Sequence, residues 1–332
     1  MGVYFYRIVA IYKGNLSLKY LKYKKKYYEL FTALMFLFPS LLILFPFFIF
    51  PIFYALQLSL WGGKRNMGTF VGLKNYIFAF QNPMFWQSLQ VTLYYAMITI
   101  PATLLLGFTF AYFLAKIIRA RTFLRILFFV PYVTSTVAVA MVWRIFYNPQ
   151  LGLFNYILKT LGLPVQQWLL EPRGVLNIIT GGAIDPHYGP SLALVCISLF
   201  DIWHTFGFAV VVFLAGMSTL PQEYYESAKI DGANPWKILL HIELPLLSPT
   251  WLFLITVQSI RSLQSFSSFY ALSPASGRTL GTTENLMLHI YSQFYEYGYW
   301  GYGSAVAILL SIFIMLLTYI QWQWARRYVF YQ

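Results

Sequence analysis

Six long apolar runs constrain what this 332-residue chain can fold into more than any other feature. They lie at about 30–60, 88–115, 124–147, 190–217, 245–271 and 302–324. A helix needs about 20 apolar residues to cross the hydrocarbon core of a bilayer. Lipid offers no partner to backbone polar groups, so a run of this length crosses as a helix. The expected fold is therefore an all-α membrane protein with six transmembrane helices. Charged residues make up only 10% of the chain, against roughly a quarter in soluble domains. That is too few to cover a water-facing surface. Runs two and six carry no charged residue, and the first holds Pro39, Pro46 and Pro51. The prolines predict a kinked or tilted helix. The first run and its basic flank are too long for a cleavable signal peptide.

Three segments follow: residues 1–28, basic and cytoplasmic; a six-helix membrane domain, 29–325; and a cytoplasmic tail, 326–332. The orientation comes from the lysines and arginines. Arg7, Lys13, Lys19, Lys22, Lys24, Lys25 and Lys26 precede the first run with no acid before Glu29. Lys116, Arg119, Arg121 and Arg125 fall between runs two and three or just inside run three, Lys229 and Lys237 between runs four and five, and Arg326 and Arg327 after run six. These places share one side of the membrane, so both termini are expected in the cytoplasm. The net charge of +13 is clustered at the ends of apolar runs, which suits an anionic leaflet better than a nucleic-acid groove.

Several chemistries find no support. The single cysteine, Cys196, excludes a disulfide framework and a multi-cysteine metal site. The histidines 187, 204, 241 and 289 form no HExxH pair. No GxxxxGK[ST] loop is present; "WGGKRNMG" at 61–68 lacks its spacing. No nucleophile–base pair can be assembled, so the chain is read as a conduit rather than an enzyme.

The polar stretch "YYESAKIDGANPWKILLHIELPLLSP", Tyr224–Pro249, interrupts the apolar pattern. Pro221 suits the first turn of a helix, Glu223 and Glu226 suit its positive end, and Gly232 suits its stop. A short helix, a turn and a second short helix entering run five are predicted, with Tyr225, Ala228 and Ile230 as a small apolar face. So short a helix must lean on the rest of the protein or on a partner. By the residues alone it is either an ordinary cytoplasmic loop or a docking element. In "LFNYILKTLG", inside the outer connection 148–189, a short amphipathic helix and a plain surface loop remain alternatives.

Glu226-Ser227-Ala228, Asp231-Gly232-Ala233 and Leu244-Pro245 together resemble the EAA loop of the permease subunits of binding-protein-dependent ABC importers. Ser227 replaces the motif's middle alanine. "FVGLKNYIFAFQNPMFWQSLQVTLYYA", "FVPYVTSTVAVAMVWRIFYNPQLGLFN" and "YGYWGYGSAVAILLSI" resemble successive segments of the carbohydrate-type members, in the right order, over about residues 30–325. "LSPASGRTLG" departs from the threonine and Gly-Gly-Pro frequent there. The resemblance implies a type I ABC importer permease fold in the bacterial inner membrane, with 221–245 as the loop carrying the coupling helix. It implies a second permease subunit, in a heterodimer, two ATPase subunits and an extracytoplasmic solute-binding protein. It places ATP and magnesium on the ATPases and no cofactor on this chain. Glu226, Ser227, Ala228, Asp231, Gly232 and Ala233 would form the ATPase-coupling site: Glu226 as the acidic contact, Ala228 and Ala233 for close approach, Gly232 for the turn and Asp231 beside it.

Ionisable groups inside spans usually face a cavity or a partner. Asp201 and His204 lie three apart in run four and so share a face, with Asp201 ~15 Å deep at 1.5 Å per residue. Arg261 lies in run five among Gln258, Gln264, Ser265 and other serines. Either Asp201 and Arg261 pair and tie runs four and five together, or Arg261 and its polar neighbours line a cargo path. An arginine there makes an acidic oligosaccharide, alginate-like, attractive as cargo. The rival expectation is an ion-coupled secondary transporter, although the chain shows no internal inverted repeat.

Overall fold

The computed structural model describes residues 27–65, 68–116, 121–273 and 279–328, with Arg121 and Tyr328 described by their backbone alone. The basic segment before residue 27, Arg119, residues 274–278 of "LSPASGRTLG" and the tail beyond 328 lie outside the described residues. The chain divides into two compact units, residues 1–57 and 58–332. Among the described residues of the first unit there is one helix, part of α1 (Tyr27–Ser59), and none of them up to Gln57 is buried.

The second unit is helical apart from two isolated bridges, Trp61 with Phe70 and Gly174 with Ser191, among the described residues. Its helices are α2 (Lys74–Gln81), α3 (Pro83–Lys116), α4 (Arg121–Val133), α5 (Thr136–Phe146), α6 (Leu153–Thr160), α7 (Val175–Ile179) and α8 (Leu192–Ser218). After them come α9 (Gln222–Ile230), α10 (Pro235–Leu246), α11 (Ser248–Leu263), α12 (Ser267–Leu272), α13 (Leu286–Tyr291) and α14 (Trp300–Tyr328). Four helices, α1, α3, α8 and α14, are each long and apolar enough to cross a membrane; two bent pairs bring the number to as many as six.

Two expected spans are not continuous. Run three breaks into α4 and α5, bent by 94°. Pro131 lacks an amide proton, and its carbonyl accepts from the Thr134 hydroxyl at 2.6 Å and the Thr134 amide at 3.3 Å, so the chain turns before Ser135. Run five ends as a helix at Leu263 rather than at 271. Gln264–Phe266 leave the helix, and 267–272 form α12. At its other end α11 meets α10 at 63°.

Helix α8 is the central element: 61% of its most apolar window is buried, against 33% for α3 and for α14. It packs mainly along α3 and α4. Near one end Leu194, Ile197 and Phe200 of α8 meet Val91 and Phe269. Near the other Val210, Phe213 and Leu214 meet Leu104, Leu114 and Leu254. The approach of α8 to α4 is close because Gly207 has no side chain. A Cβ there would lie 1.8 Å from the Phe128 carbonyl oxygen, a backbone atom that cannot swing aside. Gly207→Ala is expected to destabilise the protein by about 1–3 kcal/mol through overpacking, more than the helix-propensity gain of ~1 kcal/mol returns. The midpoint of SDS-induced unfolding in micelles measures this; an unchanged or higher midpoint contradicts the tight contact.

A polar stripe on α3 fastens the other helices. Thr92, Tyr95, Thr99 and Thr103, spaced by three or four, are all buried. Thr92 Oγ1 accepts from the Leu286 amide, at the first residue of α13, at 2.9 Å. The Thr99 and Ser262 hydroxyls lie 3.1 Å apart, and those of Thr103 and Thr205 3.4 Å apart. In the connection 148–189 the "LFNYILKTLG" segment forms the two-turn helix α6. Buried Asn155 uses its full bonding capacity there: its amide donates to the Pro149 and Gln166 carbonyls, and its oxygen accepts from the Gln166 amide and Trp168 Nε1. Glu171 accepts two bonds of 2.8 Å from Arg173, which hold its carboxyl below the usual range.

Candidate functional site

Two polar places stand out, one at each level of the molecule. The first is the α9 elbow. Pro221 is the N-cap residue, one position before the expected first turn, and Gln222 opens the helix. At the other end the Gly232 amide donates to the Lys229 carbonyl at 3.1 Å, and the Ala233 amide to the Ala228 carbonyl at 2.9 Å. These are the two bonds of a Schellman stop, which needs a left-handed residue at the glycine position. Gly232 has φ +71°, and a Cβ there would meet nothing within 4 Å, so conformation rather than space calls for glycine. Asn234 then caps α10, its side-chain oxygen accepting from the Lys237 amide at 2.8 Å.

The faces of α9 differ. Glu223, Glu226 and Ile230, at helical spacing, are exposed, as are Ser227 and Asp231. Ile230 is 87% exposed, so it does not join Tyr225 and Ala228 in the apolar face the sequence suggests. Ala228 is buried at 8%, so its small size serves the fit of α9 against its own protein. Ala233 is half-buried. About a quarter turn round the helix from the Glu223, Glu226 and Ile230 edge, Gln222, Tyr225 and Lys229 border a cavity of about 470 Å³ with Tyr112, Lys116 and Glu243. Burial, with Glu243 beside it, pushes the Tyr225 hydroxyl up to about 12. It remains a neutral donor facing that carboxylate.

The second place is a cavity of about 170 Å³ between α3, α5, α8, α11 and α12. Asp201, Gln258, Arg261, Gln264 and Ser265 all line it. His204 does not: its ring stacks on Phe200 at 5.7 Å, and Thr205, one turn from Asp201, takes the place beside the cavity. Asp201 accepts from the Tyr95 hydroxyl at 2.6 Å, and Tyr95 also contacts Ser265 at 3.3 Å. Ser265 and Ser268 lie 3.1 Å apart. The Arg261 guanidinium sits over the Tyr132 ring, 4.9 Å from its centre. No nitrogen–oxygen contact within 4.0 Å joins it to Asp201. The acid is thus satisfied by a phenol, and no described residue accepts a hydrogen bond from the guanidinium. Tyr95, Tyr132, Thr136 and Thr205 are site residues that the sequence reading misses. For Tyr95 a signal was present, the threonine–tyrosine stripe of α3 at helical spacing. Tyr132, near the end of α4, meets Arg261 of α11 through a contact that no periodicity reveals.

Residues 104–329 match the family described as the binding-protein-dependent transport system inner membrane component. The chain belongs to that family. This permease is 30% identical over 299 residues to the trehalose/maltose transport system permease protein MalF of Thermococcus litoralis, covering 90% of this chain and 94% of that protein. It is 33% identical over 304 residues to the arabinooligosaccharides transport system permease protein AraP of Bacillus subtilis, covering 90% and 88%. Its fold matches, with a TM-score of 0.75 at 20% identity and over 91% and 96% of the two chains, a crystal structure of a bacterial ABC transporter involved in the import of the acidic polysaccharide alginate. The permease is a membrane-integral transport component, and its family works with a binding protein. Membership weighs against the ion-coupled reading.

Proposed function

We propose that the permease is one of two different membrane subunits of an ATP-driven importer, and that its cargo is an oligosaccharide carrying acidic groups. Two separate ATPase subunits supply hydrolysis, with ATP and magnesium bound there, and an extracytoplasmic solute-binding protein delivers the cargo. Both termini and the α9 elbow face the cytoplasm. Glu226, with Ser227 and Asp231 beside it, meets the ATPase, while the Gly232 stop fixes the angle at which α9 is presented. Movement of the ATPase pair shifts α9, and the spans rock about the central cavity by alternating access.

The single observation that carries the cargo reading is Arg261, a cation in a cavity of hydroxyls and amides whose nearest acid is bonded elsewhere. A carboxylate paired with a guanidinium forms charge-assisted bonds about twice as strong as neutral ones. The relatives named for trehalose, maltose and arabinooligosaccharides support a carbohydrate, and the fold neighbour named for alginate supports an acidic one. The cavity, about 170 Å³, lies below the ~300–1,000 Å³ of small-molecule sites. It admits part of a cargo in this conformation and has to widen during transport.

The test is uptake into vesicles holding the full complex. Uptake of an alginate oligosaccharide is expected to need ATP and the binding protein and to exceed uptake of maltose. Uptake driven by an ion gradient without ATP refutes the importer reading; a preference for maltose refutes the acidic cargo.

A further inference from the structure

We propose that a second pocket, at the end of α3 and α8 away from the α9 elbow, is an outer subsite that holds one neutral, hydroxyl-bearing sugar ring of the cargo before it reaches the Arg261 cavity. The proposal rests on the carbohydrate reading above. The pocket measures about 260 Å³ and lies between the first turns of α3 and α8, the loop 172–191 and the segment after residue 279. Gln87, Gln90 and Tyr94 line it from α3 at spacings of three and four, so they share one face. His187 and Thr282 line it from the two loop segments.

The chemistry of this lining suits a sugar ring. Two side-chain amides one turn apart offer donors and acceptors together, which matches neighbouring hydroxyls that do both. Tyr94 supplies an aromatic surface for the apolar face of a ring, and Gln90 Nε2 donates to its hydroxyl at 3.1 Å. The wall opposite includes Pro172, Pro186 and Pro190, which have no amide proton and a fixed φ, so it is stiff. The carbonyls of Pro186 and Pro190 already accept from the Gly174 and Val175 amides. None of the described lining residues is lysine, arginine, aspartate or glutamate. The pocket therefore reads hydroxyls and leaves the charge of an acidic cargo to Arg261.

Its position places it in series with the central cavity. Val91 and Leu194 line the outer pocket; Tyr95 and Asp201, further along the same two helices, line the inner one. The seven residues from Leu194 to Asp201 span ~10 Å at 1.5 Å per residue. Between the two lies a layer of fully buried apolar side chains, Ile197, Phe269 and Leu272 among them, with Tyr95 packed edge-on against Phe269 at 4.9 Å. The layer is shut in this conformation, so a ring taken up outside waits there until the helices part.

Gln90 is exposed, so Gln90→Trp fills the pocket from a helix surface without replacing a core side chain. In vesicles holding the full complex, Gln90→Trp and Gln87→Ala/Gln90→Ala are each expected to lower uptake at least tenfold. Trehalose, maltose, an arabinooligosaccharide and an alginate oligosaccharide are the probes, and the deficit is expected to be similar for those the wild type transports. Co-purification of the ATPase subunits reports assembly. As a second measurement, Gln90→Cys is labelled with a water-soluble thiol reagent, the native Cys196 being buried. A transported sugar is expected to slow that labelling at least threefold. Normal uptake by Gln90→Trp, or labelling of Gln90→Cys unaffected by a transported sugar, overturns the subsite while leaving the carbohydrate reading standing. If the wild type takes up none of the four sugars, the carbohydrate reading fails, and the subsite with it.

Discussion

Glu226→Lys is expected to leave the permease inserted in the membrane and to release the ATPase subunits. The residue sits on the exposed edge of α9 with Glu223 and Ile230, while Gln222, Tyr225 and Lys229, about a quarter turn round the helix, border the chain's own cavity. No described residue holds its carboxylate in an ion pair, so folding should be spared. Reversing one member of a charged contact between subunits costs about 2–5 kcal/mol, much of it the penalty of an unpaired partner. That corresponds to binding weaker by about thirtyfold or more. Co-purification of the ATPases with the variant, together with ATP-dependent uptake, measures it. Glu226→Gln should lie between wild type and the reversal, since it removes attraction without adding repulsion. Full co-purification and normal uptake in the lysine variant would remove α9 from the coupling role. Gly232 gives an independent handle. Its φ of +71° belongs to the Schellman stop, so a valine there should misdirect α9 while leaving every charge in place.

Arg261→Gln is expected to abolish uptake of acidic oligosaccharide by about a hundredfold or more while the complex still assembles. The magnitude follows from replacing a charge-assisted pair with a neutral hydrogen bond inside a cavity. A purely structural role predicts another pattern. Arg261 makes no ion pair with Asp201 within 4.0 Å; its described anchor is the Tyr132 ring. Losing that stacking weakens the hold of α11 on α4 by about 0.5–2 kcal/mol, too little to dismantle helices that share one buried core cluster and are tied to α3 by the Thr99–Ser262 contact. The deficit should also be larger for an alginate oligosaccharide than for maltose. Equal loss for both, or loss of assembly, would return Arg261 to the role of a strut.

The sequence by itself determined the class of molecule. Apolar runs near 20 residues leave the chain no stable alternative to crossing lipid as helices, and a short charged stretch bounded by Pro221, Gly232 and Pro235 can only be an elbow between two of them. The glycine at 232 was legible because a left-handed stop is a local requirement, met by the backbone of one residue. The tertiary structure alone decided where helices break and what the polar groups meet. Run three reads as continuous, yet the Pro131 carbonyl is taken by Thr134 and the chain turns by 94°. Asp201 and His204 share a helix face, yet the hydrogen bond from Tyr95 draws only the acid to the cavity. Spacing along a helix fixes direction to within a quarter turn. Which of two neighbours finds a partner depends on side chains about a hundred residues away, and no period in the sequence carries that information.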